Sequence, residues 1–379
     1  MVKGPMRGAG AAWIVAAALI AAAAATANAD DIAARKKGVT LSLRGDADGN
    51  GIAVTSLGAG TNVGSRIRLH PTAPTTVNGQ AADAEFDDVV HLKISMGAGN
   101  DTCLIGASVA GNVKVSGGPG DDLIWFSASS VGGTVQAAGA GGALVFLMEA
   151  TTVGRTLVVR GGSGDDTVTV DSSEVQNGNV VVALGGGTNS FSDTNSAFRL
   201  FFSGSGGPYS NSFSFDGSTI GKSARFLMGS GANDFLMQNT TVGGDMLYVG
   251  GPEEDSVQLV GTHIDLDVKF ALSAGNNHLT LDHYDDPNPG FIFTIVGGNL
   301  VVTAGSGNDQ IDFKGGPTIS EDTFLQLASG NNTCNLQDTE FSGSLFVSAG
   351  SGDDFVDVTG SAISGTETYK LGGGTNTQP

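Results

Sequence analysis

The sequence predicts an all-β fold, a single-stranded parallel β-helix (β-solenoid) of about 13 coils of about 22 residues with a β-hairpin-containing N-terminal cap. Three observations predict it. A glycine-rich turn ending in Asp or Asn recurs down most of the chain, and 60 of the 379 residues are glycine. Each turn runs into a short alternation of apolar and polar residues, which has the period of a half-buried strand. Beyond the N-terminal segment there is no helical periodicity, while longer-strand folds such as propellers and sandwiches need a longer repeat.

The chain opens with Lys3 and Arg7, an Ala-rich apolar run from about Ala11 to Ala25, and Ala27-Asn28-Ala29. This is the pattern of a secretory signal cleaved after residue 29, and the polar Asp30-Asp31 that follows argues against a retained anchor. The expected location is secreted or at the cell surface, with no membrane insertion once the signal is removed. Without Lys3 and Arg7, 16 basic residues face 38 acidic ones, a net charge of −22. Such a balance disfavours nucleic acid and anionic lipid, and favours cations or basic partners.

Residues 30–95 read as a linker and β-rich cap. Val39–Leu43 and Ile52–Ser56 are expected as hairpin arms about a turn at Gly45–Gly51. Residues 96–379 read as the repeat domain. The turn markers are Asp101, Asp122, Asp166, Asn189, Asn211, Asp234, Asp255, Asn277, Asp309, Asn332, Asp354 and Asn376. One turn is degraded near Gly139–Gly142, and one coil carries a ten-residue insertion near 282–291. Two residues after the markers stand Cys103, Ile124, Val168, Phe191, Phe213, Leu236, Val257, Leu279, Ile311, Cys334 and Val356, all expected to point inward. Four residues after them the pattern is again apolar, except at Asp193 and Gln238. Further apolar positions such as Val175 with Val180 and Val182 complete three short strands per coil, and the whole makes a rod on the order of 60 Å long.

Cys103 and Cys334 share the same inward slot about ten coils apart, so roughly 48 Å separates them. They cannot form a disulfide and are expected as free, buried thiols.

Gly161–Thr169 and Gly117–Trp125 match the nonapeptide G-G-x-G-x-D-x-U-x, with near matches ending at Asp101, Asp309 and Asp354. In these turns the chain resembles the exported bacterial repeats-in-toxin-like (haemolysin-type calcium-binding) proteins with Gly-Gly-x-Gly-Asp-Asp repeats, here in a longer coil. The resemblance implies calcium held at Asp101, Asp121, Asp122, Asp165, Asp166, Asp309, Asp353 and Asp354. It departs from that family in having one turn per coil and not tandem nonapeptides, and in carrying Asn at several turns. Carboxylates stacked one coil apart repel by roughly 1 kcal/mol in water and several-fold more near a protein surface. Calcium could relieve this, or Asn could pair along the stack, or the side chains could simply bond backbone. Asp46–Gly51 also resembles the start of an EF-hand loop, but Leu57 stands where the closing Glu belongs and no helices flank it.

Two functional classes follow. The first is an exported, non-catalytic structural or adhesion-type solenoid, calcium-stabilised through its Asp/Asn turns, with cell-surface polysaccharide, another surface protein or end-to-end copies of itself as partners. The alternative is a polysaccharide-active lyase or hydrolase, which rests on fold analogy. Hydrolysis needs a dedicated carboxylate pair, whereas the acidic pairs here are periodic. Arg160, Arg199 and Arg225 fall at different coil phases. The loop Asp282–Gly290, with His283, Tyr284 and three carboxylates, is the one irregular polar feature. Thr151-Thr152 and Thr240-Thr241 do not extend into the Thr ladder that ice binding needs.

Overall fold

The computed structural model describes residues 30–286 and 290–379. The expected signal, residues 1–29, lies outside them. The described residues form strands and turns with no helix, stacked into three sheets of 16, 15 and 12 strands that are parallel beyond the cap, plus one two-stranded ribbon. The β-solenoid read from the sequence is the fold of the protein.

One coil shows how the sequence makes the rest. Leu157–Arg160 lies in the longest sheet and ends at the glycine-aspartate corner, residues 161–166. Thr167–Asp171 follows in the second sheet, then Glu174–Val175 in the third, and Val180–Ala183 re-enters the longest sheet one coil on. Inward positions Leu157, Val159, Val168, Val170 and Val175 are fully buried. Coil stacks on coil in register, so Val168 sits beside Phe146 on one side and Phe191 on the other. Like faces like because an in-register parallel stack gives every inward side chain its own equivalents as neighbours.

The core changes in grain along the rod. Near its middle it is aromatic: Phe191, Phe202, Phe213, Phe215, Phe226 and Phe235 pack with ring centroids 4.6–6.3 Å apart. Room for them comes from Gly204, whose inward slot the rings fill. A Cβ there would lie 2.6 Å from the Phe213 ring.

Two local readings are corrected. Thr40–Arg44 and Gly51–Ala59 are not arms of one hairpin. They are successive strands of the first coil, pairing in parallel with His91–Ser95 and Thr102–Gly106 respectively. The turn between them is the first acidic corner, ending in Asn50, and so has the same job as those that follow. The antiparallel pairs of the cap are instead Asp31–Lys37 with Thr40–Arg44, and Gly51–Ala59 with Ser65–Pro71 and then Ala84–Val89. The second correction is a one-residue slip: Asn233, not Asp234, is the corner residue of its coil. Phe235 and Met237, not Leu236 and Gln238, point inward there. That removes the apparent exception at Gln238 and restores a spacing of 22 from Asn211 to Asn233 and from Asn233 to Asp255. In the degraded turn, Leu144 takes the corner position beside Asp122 and the coil is otherwise intact. Near 282–291, Tyr284–Asp286 pairs antiparallel with Gly290–Ile292, an extra hairpin projecting from a regular coil.

The corner between the second and third sheets holds a left-handed residue in most coils. Ala128, Ala150, Ser172, Asn195, Asn239 and Asp338 have φ between 45° and 51°, and Gly217, Gly261 and Gly360 take the same place elsewhere. Alanine has no side-chain bond to offset the crowding of its Cβ there. Ala150→Gly is therefore expected to stabilise the protein by about 1 kcal/mol, read as a higher denaturant midpoint at unchanged m-value.

Candidate functional site

The acidic pairs are the feature the sequence repeats most, and the structure splits each pair into an inner and an outer residue. The inner residues are buried: Asp101, Asp122, Asp166, Asp309 and Asp354 are each at most 3% exposed. The outer ones, Asp121, Asp165 and Asp353, are exposed. The structure thus brings the eight candidate residues to a single edge of the rod in two parallel columns.

Both columns bind backbone, in opposite directions. An inner Oδ1 accepts the N–H of the coil before it: Asp101 N–H donates to Asp122 at 3.1 Å, Leu144 N–H to Asp166 at 2.7 Å and Asn332 N–H to Asp354 at 3.1 Å. An outer Oδ1 accepts the N–H of the coil after it: Ala143 N–H donates to Asp121 at 2.9 Å, Thr188 N–H to Asp165 at 2.7 Å and Thr375 N–H to Asp353 at 2.6 Å. Asn100, Asn276, Asn308 and Asn331 do the same in the outer column. Each acidic pair therefore stitches its coil to both neighbours. Where the inner residue is Asn, its amide also donates along the stack, as from Asn211 to Asn233 at 3.1 Å and from Asn233 to Asp255 at 2.8 Å. The amide ladder expected from the alternation of Asp and Asn is present in these coils.

Aspartate in the inner column is less well served. An inner Asn donates to the carbonyl two residues before it, as Asn332 does to Gly330 and Asn277 to Gly275. An ionised Asp has no hydrogen to offer, and Oδ2 of Asp101, Asp122, Asp309 and Asp354 is buried without a partner. Asp166 and Asp255 differ, since their Oδ2 atoms accept N–H of Gly162 and Gly251, each at 3.0 Å. Burial pushes Asp101 and Asp122 up to about 7 and Asp255 to about 6, and raises Asp166 and Asp309. Desolvation of the charged form is the main cause in every case.

Asp193 is more unusual still. It occupies an inward core slot between Val170 and Phe215, 1% exposed, and burial pushes it up to about 7. Its carboxyl oxygens fall just outside hydrogen-bond geometry, although Ser218 and Ser196 lie close enough to temper the shift.

Calcium needs several oxygens converging on one point. In the two columns one oxygen of each carboxylate is taken by backbone, and the inner second oxygens are buried. The exposed outer carboxylates fit loose surface binding and not an enclosed cage. Among the described residues, the one group of three carboxylates within 4.8 Å of one another is Asp30, Asp46 and Asp48 in the cap. It includes the start of the EF-hand-like stretch, whose Asn50 instead donates to the Asp48 carbonyl at 2.7 Å.

Two polar clusters break the repetition. In the inserted hairpin, His283 lies 2.9 Å from Asp282 and 3.0 Å from Asp285. On the second sheet, Asp312 is 2% exposed and accepts from Lys314 at 2.9 Å, Asn335 at 2.8 Å and Gln310 at 2.8 Å, with His278 at 3.2 Å. Burial pulls Asp312 upward, but Lys314, Asn335, His278 and Gln310 together hold it below the usual carboxylate range. A carboxylate so fully occupied is a poor proton acceptor. The sequence reading missed it because one Asp among many carries no local signal.

A second ladder was also missed. Ser129, Thr151, Ser173, Ser196, Ser218, Thr240, Thr262 and Thr294 are buried at the left-handed corner, and every hydroxyl but that of Thr262 accepts an N–H from the previous coil, as Ser129 N–H donates to Thr151 at 3.2 Å. The spacing of 22 was its available signal. Cys103 and Cys334 are free and buried, and desolvation raises both thiols to about 12.

No protein-family model, curated protein or solved structure matches the chain.

Proposed function

We propose that this chain is an exported, non-catalytic structural solenoid of adhesion type, a rod that holds surfaces at a distance. The observation that carries this reading is the double stitch: the acidic pairs, the residues best suited to chemistry, spend their Oδ1 atoms on the backbone of the coils above and below. The polysaccharide-active enzyme is the alternative. Its best candidates are the His283 hairpin and the Asp312 cluster, and the latter is saturated with donors. Incubation with pectin, polygalacturonate and alginate should release neither unsaturated products nor reducing ends. Turnover lost in Asp285→Asn or Asp312→Asn would establish the enzyme instead.

Calcium enters this reading as an accessory ligand of the exposed outer carboxylates Asp121, Asp165 and Asp353. Loose binding at ten times the dissociation constant is worth about 1.4 kcal/mol. Millimolar calcium is thus expected to raise the melting temperature by only a few degrees. Loss of the β-sheet circular dichroism signal on chelation would show instead that the turns form a metal cage.

A further inference from the structure

The rod's charge is not spread evenly. Residues 30–379 carry 38 acidic and 16 basic side chains. Yet the twelve successive strands of the longest sheet from His91–Ser95 to Leu345–Ser351 contain no Asp or Glu at all. Their outward positions carry Lys93, Lys114, Arg160, Arg225 and Lys269, all exposed. Among the described residues none of the five has an ion-pair partner, whereas Arg66, Arg68, Arg199 and Lys314 elsewhere do. The second sheet, by contrast, carries Glu149, Asp171, Asp216, Asp234 and Asp282 on its strands.

Register turns this into a surface. Lys93, Lys114, Arg225 and Lys269 lie in one outward row, Lys93 directly beside Lys114, and Arg160 lies in the neighbouring row. Counting coils, the steps from Lys93 to Lys269 are one, two, three and two, or roughly 5, 10, 14 and 10 Å along the axis. Lys93 beside Lys114 is an unrelieved like-charge pair, which only an anion from outside would neutralise. Between the cations stand Gln136, Val158, Val181, Ser203 and Leu247 in the lysine row and Ser116, Ala138 and Ala183 in the row of Arg160, all uncharged, so the cations are the charge this face presents. Further along the same row, Phe324 and Phe346 are half-buried and stacked, with centroids 4.9 Å apart and planes 5° from parallel.

We propose that the outer face of this sheet is a docking surface for a linear polyanionic polysaccharide lying along the rod. Cations in line at multiples of the coil rise suit a polymer with one acidic group per sugar. A flat aromatic pair in the same row suits the C–H face of a sugar ring. The alternatives fit less well: a second copy could meet the strip with the acidic row Glu149, Asp171, Asp216 and Asp282 of its second sheet, but that pairing gives the stacked Phe324–Phe346 pair no role, and the surrounding acidic surface repels a duplex or bilayer wide enough to overhang the strip. The proposal rests on the export part of the reading above and not on its non-catalytic part.

The test uses the mature chain, polygalacturonate and dextran, with binding measured at 50 and 300 mM salt. Binding to polygalacturonate and not to dextran is expected, weakened tenfold or more by the higher salt. Changing Lys93, Lys114, Arg160, Arg225 and Lys269 together to Ser should reduce affinity at 50 mM salt at least tenfold and flatten the salt dependence. Phe324→Ser with Phe346→Ser should weaken binding about three- to tenfold and leave the salt dependence unchanged. Circular dichroism confirms folding of both variants, since the substituted side chains face outward. Three outcomes overturn the proposal: no polygalacturonate binding, binding untouched by the five-fold substitution, or equal binding to duplex DNA or anionic vesicles. A concentration-dependent dimer abolished by the same substitution, without polygalacturonate binding, would assign the face to a second copy. Cleavage of the bound polymer would refute the non-catalytic reading and leave the docking surface standing.

Discussion

Lowering the pH from 8 to 5 is expected to make this protein more stable, the reverse of the usual trend for an acidic protein with paired carboxylates. The sign follows from proton counting. Asp101, Asp122 and Asp193 are raised to about 7 and Asp255 to about 6, all by burial. In the unfolded chain these groups titrate near 3.9. Between about pH 4 and 7 the folded state therefore holds protons the unfolded state has released, and stability falls as pH rises through that window. Above about 7 both states are ionised and the curve flattens. Each group is worth a few kcal/mol at most, since one pKa unit corresponds to about 1.4 kcal/mol. Relief of self-repulsion on the net-negative surface acts in the same direction.

Lowered groups work against it weakly. Glu85, Asp88 and Asp357 are surface carboxylates whose hydrogen bonds are screened by solvent. Asp312 is buried and loses its four donors' support only when it protonates, below the usual carboxylate range. The inner column gives the discriminating experiment. Asp101→Asn, Asp122→Asn and Asp309→Asn supply an amide where an ionised Oδ2 lacks a partner, so each should stabilise by about 1–2 kcal/mol at pH 8, and the first two by little at pH 5. Denaturant unfolding at the two pH values reads this directly. A triple variant with an unchanged pH profile would place the effect outside the ladder.

The second large effect is expected in the aromatic centre. Phe226 is fully buried and meets Phe202, Phe213, Phe215 and Phe235 at centroid distances of 5.6, 6.3, 5.5 and 4.6 Å. These five rings come from four strands whose backbones are fixed by the stack, so the site has little freedom to collapse. Phe226→Ala should cost about 3–5 kcal/mol, in the upper range for aromatic truncation. Phe324→Ala on the outer face should cost about 1 kcal/mol, the size of a stacking contact with modest burial. Equal losses from the two would show that the inner and outer faces of this sheet are not distinguished by packing.

Most of the fold was legible because one coil is nearly a copy of the next, and a period of two within a period of 22 assigns each side chain to a face. What failed were choices between adjacent residues. In Gly231-Ala232-Asn233-Asp234 two residues can serve as the corner, and nothing local says that the first is the buried one. Near Gly45–Asn50 the turn chemistry of a hairpin and of a solenoid corner is the same, and only pairing with His91–Ser95 and Thr102–Gly106 separates them. The acidic pairs were found correctly as a column. Their division into inner and outer rows depends on backbone direction at the corner, which composition does not carry. The acid-free face was hidden for a related reason. Lys93 and Lys269 lie far apart in sequence, and they share a row only once every coil has been laid on the next.

The double stitch has a consequence for how such a rod can vary in length. Most coils offer their neighbours equivalent acceptors and donors, and where the corner is Leu144 a backbone carbonyl accepts instead, so energy is shared only between adjacent turns. Removing one complete turn rejoins an upper seam to an equivalent lower seam. The extra hairpin after Asp282 shows that surplus chain is shunted sideways without disturbing the column, for Asn277 N–H still reaches Asp309 at 3.0 Å across 32 residues. Length is then a free variable, adjustable in steps of about 4.8 Å. A protein built this way can be cut to measure, and natural variants should differ from one another by whole turns.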